Sequence, residues 1–155
     1  MSDQNAEARD KALSLLADMD RTERQICDRL AKAGFEEEVI TETVSFLREY
    51  HFVDDARYAE NYLDYYKDKR SKMRIRMDLR KKGIREDDID RTFTLLGDYD
   101  ERPLITRLGR KKLATLKEAD PRRRQKVITF LAGKGFRMED IFDVLEEIFT
   151  LTDEA

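Results

Sequence analysis

Three glycines, Gly34, Gly83 and Gly135, impose the frame in which this chain can fold. Aligned on them, the sequence repeats its apolar positions in three copies. Ile26, Ile75 and Val127 stand eight residues before the glycine, and Leu30, Leu79 and Leu131 four before. Phe35, Ile84 and Phe136 follow it directly, and Ile40, Ile89 and Ile141 lie six after. Val44, Phe93 and Leu145 come ten after, and Leu47, Leu96 and Ile148 thirteen after. Steps of three and four residues place side chains on one helical face, so each copy reads as helix, tight turn, helix. The glycine suits the left-handed position that closes the first helix, where a Cβ costs on the order of 1 kcal/mol. A period of roughly fifty residues is that of tandem helical repeats.

Room remains upstream of each pair for one more helix. Residues 6–19 carry Ala12, Leu13, Leu15 and Leu16, residues 55–69 carry Tyr58, Ala59, Tyr62 and Tyr66, and residues 103–117 carry Leu104, Leu108, Leu113 and Leu116. The predicted fold is all-α, with three tandem three-helix repeats at residues 1–50, 51–99 and 100–155, or about nine helices. Local chemistry agrees. Thr22 with Gln25 is a capping-box pair, and Ser71 occupies the same offset one repeat on. Asp120-Pro121 reads as an N-cap followed by an N1 proline, and Pro103 suits a first turn. Asp54 is placed to cap the helix opening repeat two, with Phe52 and Val53 packing into the seam. Acids begin each third helix (Glu36, Glu37 and Glu38; Glu86, Asp87 and Asp88; Glu139 and Asp140), where they complement the positive helix end. Their spacing matches no calcium loop. His51 is the single histidine, so it has no second imidazole with which to share a metal or build a triad.

Only six Gly and two Pro leave little punctuation for an all-β fold. Hydrophobic residues at 40%, spaced at helical intervals, argue against disorder. The net charge of −3 hides a gradient. Residues 1–54 hold 7 basic and 13 acidic side chains, residues 67–82 hold 9 and 2, and residues 102–137 hold 12 and 2. Cys27 is the only cysteine, which excludes an internal disulfide framework and agrees with a reducing compartment. Beside core Ile26, it reads as an inert, partly buried thiol. No apolar run approaches the ~20 residues of a membrane span, and the N-terminus lacks a signal-peptide pattern. A cytoplasmic monomer without metal or cofactor is expected.

The chain has no phosphate-binding glycine loop, no Gly-x-Ser-x-Gly elbow and no His-Glu-x-x-His pair, so it is not expected to be an enzyme. The basic residues are more informative. Repeat two carries Lys67, Lys69, Arg70, Lys72, Arg74, Arg76, Arg80, Lys81 and Lys82. Repeat three carries Arg110, Lys111, Lys112, Arg122, Arg123 and Arg124, flanked by Arg107, Lys126, Lys134 and Arg137. A run of charge ordinarily marks a solvated face. These runs nearly lack acids, however, so little i,i+4 pairing neutralises them, and stacked repeats would align them into one stripe. Such a stripe attracts nucleic-acid phosphates or an acidic protein surface. Tyr58, Tyr62, Tyr65 and Tyr66 could stack on bases. Their helical spacing favours core and seam packing instead, with Tyr65 the one expected to be exposed.

At these residues the chain resembles a known family. Phe52-Val-Asp-Asp-Ala-Arg-Tyr-Ala59, then Arg74-Ile75, Leu79 and Lys82-Gly-Ile84, look like the central signature of the RecX regulatory proteins. Phe130-Leu-Ala-Gly-Lys-Gly-Phe-Arg-Met-Glu-Asp-Ile141 resembles that family's C-terminal repeat. Arg21-Thr-Glu-Arg-Gln-Ile-Cys-Asp-Arg-Leu30, followed by Gly34-Phe35, resembles its first. The resemblance implies an elongated, curved array and a non-catalytic modulator lodged in the groove of the RecA recombinase filament on DNA. Such a protein would restrain ATP hydrolysis, strand exchange and coprotease action in recombination and SOS repair, and could also bind single- or double-stranded DNA. The family's positions fall here on Asp55, Arg57, Tyr58, Ala59, Arg70, Arg74, Ile75, Leu79, Gly83 and Ile84. Most of these read as structural, whereas Arg57, Arg70, Arg74 and the cations named above are expected to contact the partner. His51 stands where the family commonly has glycine, and a left-handed histidine is tolerated there at some cost.

Two other functions fit the same residues. Leu-x-x-x-Gly between two helices mimics a helix-turn-helix, in which Arg74, Arg76 and Arg80 would read a DNA or RNA groove. The chain could equally be a helical-repeat adaptor for a different protein.

Overall fold

The structure, a computed structural model, describes residues 2–150. Among them the backbone forms nine α-helices and no strand. They are α1 (Ser2–Asp18), α2 (Glu23–Lys32), α3 (Glu37–Glu49), α4 (Asp55–Tyr66), α5 (Lys72–Lys81), α6 (Glu86–Leu96), α7 (Arg102–Leu113), α8 (Arg123–Gly133) and α9 (Met138–Thr150). The fold is three tandem three-helix repeats. No helix among the described residues is long and apolar enough to cross a membrane.

The helices gather into two compact units. One takes the chain up to Leu63 together with Asp78–Leu95, and the other takes Asp64–Met77 together with the chain from Leu96 onward. Each unit thus holds one terminal repeat and part of the middle one.

In the first unit α1, α2 and α3 pack pairwise around Ala8, Ala12, Leu15, Ile26, Leu30, Val44 and Leu47. The predicted capping box starts α2. Thr22 Oγ1 accepts from the Gln25 amide at 3.2 Å, and Gln25 Oε1 accepts from the Thr22 amide at 3.0 Å. Gly34, with φ +95°, ends the helix as the Phe35 amide donates back to the Leu30 carbonyl at 3.2 Å. Gly83 and Gly135 close α5 and α8 in the same way, at φ +89° and +96°.

Thr22 does a second job within this unit. Its hydroxyl donates to the carbonyl of Lys82, the residue before Gly83, at 2.6 Å. The neighbouring Glu23 amide donates to Asp55 Oδ1 at 2.9 Å. The start of α2 therefore anchors both the first helix and the glycine turn of the next repeat.

The second unit builds its core from α7, α8 and α9, with Leu104, Ile105, Leu113, Val127, Leu131, Ile141, Leu145 and Ile148 buried. It repeats the anchoring pattern. Ser71 Oγ accepts from the Arg74 amide at 3.1 Å and donates to the carbonyl of Lys134, just before Gly135, at 2.7 Å. The Lys72 amide donates to Glu101 Oε1 at 2.5 Å.

Several local expectations change. α1 begins four residues earlier than the apolar pattern suggested, and α4 and α7 stop early in tight turns such as Lys69 N to Tyr66 O at 2.9 Å. Asp120 caps a turn rather than a helix: its Oδ1 accepts from the Arg122 amide at 2.8 Å, and α8 starts after Arg122 with no side-chain cap. Leu96 ends α6 at 39% exposure instead of entering the core. His51 is left-handed at φ +60°, the one such non-glycine among the described residues. Beyond it Val53 is buried, but Phe52 stays 46% exposed and meets only the edge of the core through Phe46, 6.2 Å between centroids.

Candidate functional site

Basic side chains at a helix C-terminus are stabilised by the carbonyl end of the helix dipole. In the second unit this principle brings several of them together. Lys111 and Lys112 lie in the last turn of α7, and Lys134 is the C-cap of α8. Lys69 and Arg70 sit in the turn before α5, and Arg74 in its first turns. With Ser71, Leu108, Thr115, Phe130 and Phe136 they line a cavity of about 570 Å³. Among the described residues no Asp or Glu lines it.

Aromatic rings seat four of these six cations. Lys69 Nζ lies 4.1 Å from the Tyr65 centroid, and the Arg70 guanidinium 4.0 Å from that of Tyr66. Lys112 and Lys134 lie 5.2 and 5.3 Å from the Phe130 centroid. A ring attracts a cation without cancelling its charge. Tyr65 is exposed as expected, but its ring is a seat for Lys69. Lys69 also reaches Asp68 at 3.3 Å, which holds that exposed carboxyl below its ordinary pKa.

The other predicted cations are not in this cavity. In the second unit Lys72 pairs with Asp98 at 2.9 Å, Lys67 with Asp64 at 3.1 Å and Arg124 with Glu146 at 2.8 Å. Arg110 donates to the Glu147 carbonyl at 3.1 Å, Arg123 covers Phe149, and Arg76 is half-buried. Arg122 is exposed, its amide engaged by Asp120. In the first unit Arg80 pairs with Glu86 and Lys82 Nζ lies 5.6 Å from the Tyr62 ring, while Arg57 and Lys81 are exposed. Pairing along one helix missed this neutralisation because most of the acids come from other helices or loops. Lys134 was only a flanking residue in the sequence, and its place just before Gly135 is what brings it to the groove.

Asp54 Oδ1 accepts from the Arg57 amide at 3.1 Å, capping α4, and Ala59, Ile75, Leu79 and Ile84 are buried. Tyr58 stacks on Tyr62 at 6.2 Å, and the Tyr62 hydroxyl donates to Asp78 at 2.8 Å. Burial raises the carboxyl pKa of Asp55 and of Glu101. Burial, helped by Glu23 and Asp28, raises the thiol pKa of Cys27.

Residues 8–47, 54–92 and 100–145 match the family models of the RecX first, second and third three-helix domains, in that order. The chain belongs to the RecX family. The regulatory protein RecX of Clostridium acetobutylicum is 33% identical over 148 residues, covering 92% of this chain and 69% of that protein. That of Chlorobium phaeobacteroides is 32% identical over 142 residues, covering 90% and 92%. That of Clostridium tetani is 30% identical over 140 residues, covering 88% and 65%. The chain thus spans about two thirds of the clostridial RecX proteins and nearly all of the Chlorobium one. A crystal structure of regulatory protein RecX is similar with a TM-score of 0.85 and 30% identity, over 94% of this chain and 74% of that one. RecX from Lactobacillus salivarius, at 23% identity, shares the fold over the whole of both chains with a TM-score of 0.79.

Proposed function

We propose that this chain is a non-catalytic regulator, acting in the cytoplasm, that binds the RecA–DNA filament and restrains its ATP hydrolysis, strand exchange and coprotease action. The observation that carries this reading is membership of a family whose members are named regulatory proteins, joined to a cation-lined groove suited to an anionic partner. Recognition without chemistry fits the titratable groups: Asp55 and Glu101 are shifted by burial under helix starts that they cap. Lys69, Arg70, Arg74, Lys111, Lys112 and Lys134 are the first contacts, and exposed Arg57 and Lys81 the next. Concentrated positive charge speeds encounter and sets orientation, and a protein spanning neighbouring RecA protomers would oppose the motion of their ATP cycle.

The test is RecA ATP hydrolysis on single-stranded DNA, titrated with this protein, with free-DNA binding measured in the same buffer. Suppression at amounts too small to coat the DNA is expected. Unchanged hydrolysis alongside tight, salt-sensitive DNA binding would favour the second reading, a module acting directly on nucleic acid. The same groove supports that rival, but its base-reading version is weakened: Arg80 is tied to Glu86 and Arg76 is half-buried.

A further inference from the structure

We propose that the groove of the second unit is a receptor for a small polyphosphate, held by its phosphates and not by a base. The chemistry is that of a nucleotide triphosphate or of a short inorganic polyphosphate chain.

Size is the first argument. A cavity of about 570 Å³ lies within the ~300–1,000 Å³ typical of small-ligand pockets. Six cations line it, and three of them, Lys111, Lys112 and Lys134, have no carboxylate partner among the described residues, so a row of linked phosphates is the natural complement.

The second argument is donor and acceptor balance. Lys and Arg only donate. The two hydroxyls of the lining are already committed: Ser71 to the Lys134 carbonyl and the Arg74 amide, and Thr115 to the Lys112 carbonyl at 2.6 Å. A nucleobase presents donors as well as acceptors and would leave donors unmatched here, whereas phosphate oxygens only accept.

Aromatic surface supplies the third. Of the two aromatic residues in the lining, Phe130 is engaged by Lys112 and Lys134 and Phe136 is buried, so the groove offers its rings to cations and the core instead of to a base. Among the described residues no carboxylate pairs with Lys111, Lys112 or Lys134, so their charge is available to a ligand. An occupied groove would compete with the macromolecular partner. That competition rests on the proposed function, while the binding itself does not.

Calorimetric titration of the full chain with tripolyphosphate, ATP, adenosine and a hexaglutamate peptide tests the inference. Tripolyphosphate and ATP should bind within about threefold of each other, more tightly at low salt, and adenosine should not bind. The triple variant Lys111→Gln, Lys112→Gln, Lys134→Gln should weaken both by at least about tenfold. The control Lys11→Gln, Lys32→Gln in the first unit should not, with melting curves showing both variants folded. ATP binding without tripolyphosphate binding would overturn the inference by demanding a base. Equal losses in both variants, tighter binding of hexaglutamate, or no binding at all would overturn it as well. No polyphosphate binding with RecA suppression intact sinks this inference alone. Polyphosphate binding with RecA hydrolysis unaffected sinks the proposed function alone.

Discussion

Thr22 donates its hydroxyl proton to the carbonyl of Lys82 at 2.6 Å, across 60 residues of sequence. Ser71 stands to Lys134 as Thr22 does to Lys82, at 2.7 Å. Each hydroxyl caps its own helix and satisfies a carbonyl in the glycine turn of the following repeat. Both side chains are buried, Thr22 at 0% and Ser71 at 1% exposure, so water cannot replace the lost partner.

Thr22→Val keeps shape but removes both bonds, and Ser71→Ala does the same in the second unit. Each should lower stability by about 1–3 kcal/mol, the sum of a lost cap and an orphaned carbonyl. Thr22→Ser should retain most of it. Urea denaturation midpoints decide the matter, and a Thr22→Val midpoint equal to wild type would remove the double role.

Gly34 and Gly83 share a left-handed backbone but not surroundings. A Cβ on Gly34 meets open space, whereas one on Gly83 collides with the aliphatic part of Arg24. Gly34→Ala should therefore cost only the backbone term, about 1 kcal/mol. Gly83→Ala should cost more, because the Arg24 side chain must move as well. Equal melting temperatures for the two variants would contradict the close approach.

Gly109 and Gly133 give the opposite contrast inside helices. A Cβ on Gly109 would run into Ile148 Cδ1 on α9, but nothing lies within 4 Å of one on Gly133. Gly109→Ala should destabilise by about 1–3 kcal/mol through overpacking, despite the better helix propensity of alanine. Gly133→Ala should stabilise by about 0.4–1 kcal/mol. Thermal unfolding of the pair is the measurement.

Asp55 and Glu101 carry carboxyl pKa values raised chiefly by burial. The folded state therefore holds their protons to higher pH than the unfolded chain does. Their contribution to stability is full below the unfolded pKa and is lost as pH rises through the folded one. Asp55→Asn and Glu101→Gln remove this loss. Relative to wild type, each variant should fare better at neutral pH than at the acidic end of the carboxylate range. A difference that is flat, or of opposite slope, across denaturation curves at several pH values would refute the burial effect.

The repeats were legible because a glycine closing a helix and apolar residues three and four apart are local requirements of backbone and helix geometry. They located the second and third helices of each repeat, while the capping-box pattern pointed to the Thr22 and Ser71 caps and the family resemblance to the left-handed His51. Glu101 carried no comparable signal. It receives the Lys72 amide only because the chain folds back over 29 residues. The groove was half legible. Charge counting picked out Lys69, Arg70, Arg74, Lys111 and Lys112, yet it could not separate them from Lys72, Arg80 or Arg124, which lie outside the cavity in ion pairs with Asp98, Glu86 and Glu146. The sequence by itself determined the helices, their order and the family, since each depends on neighbours along the chain. Only the tertiary structure decided which cations share a cavity, because ion pairs and cation–ring contacts depend on distances between side chains that sequence spacing leaves open.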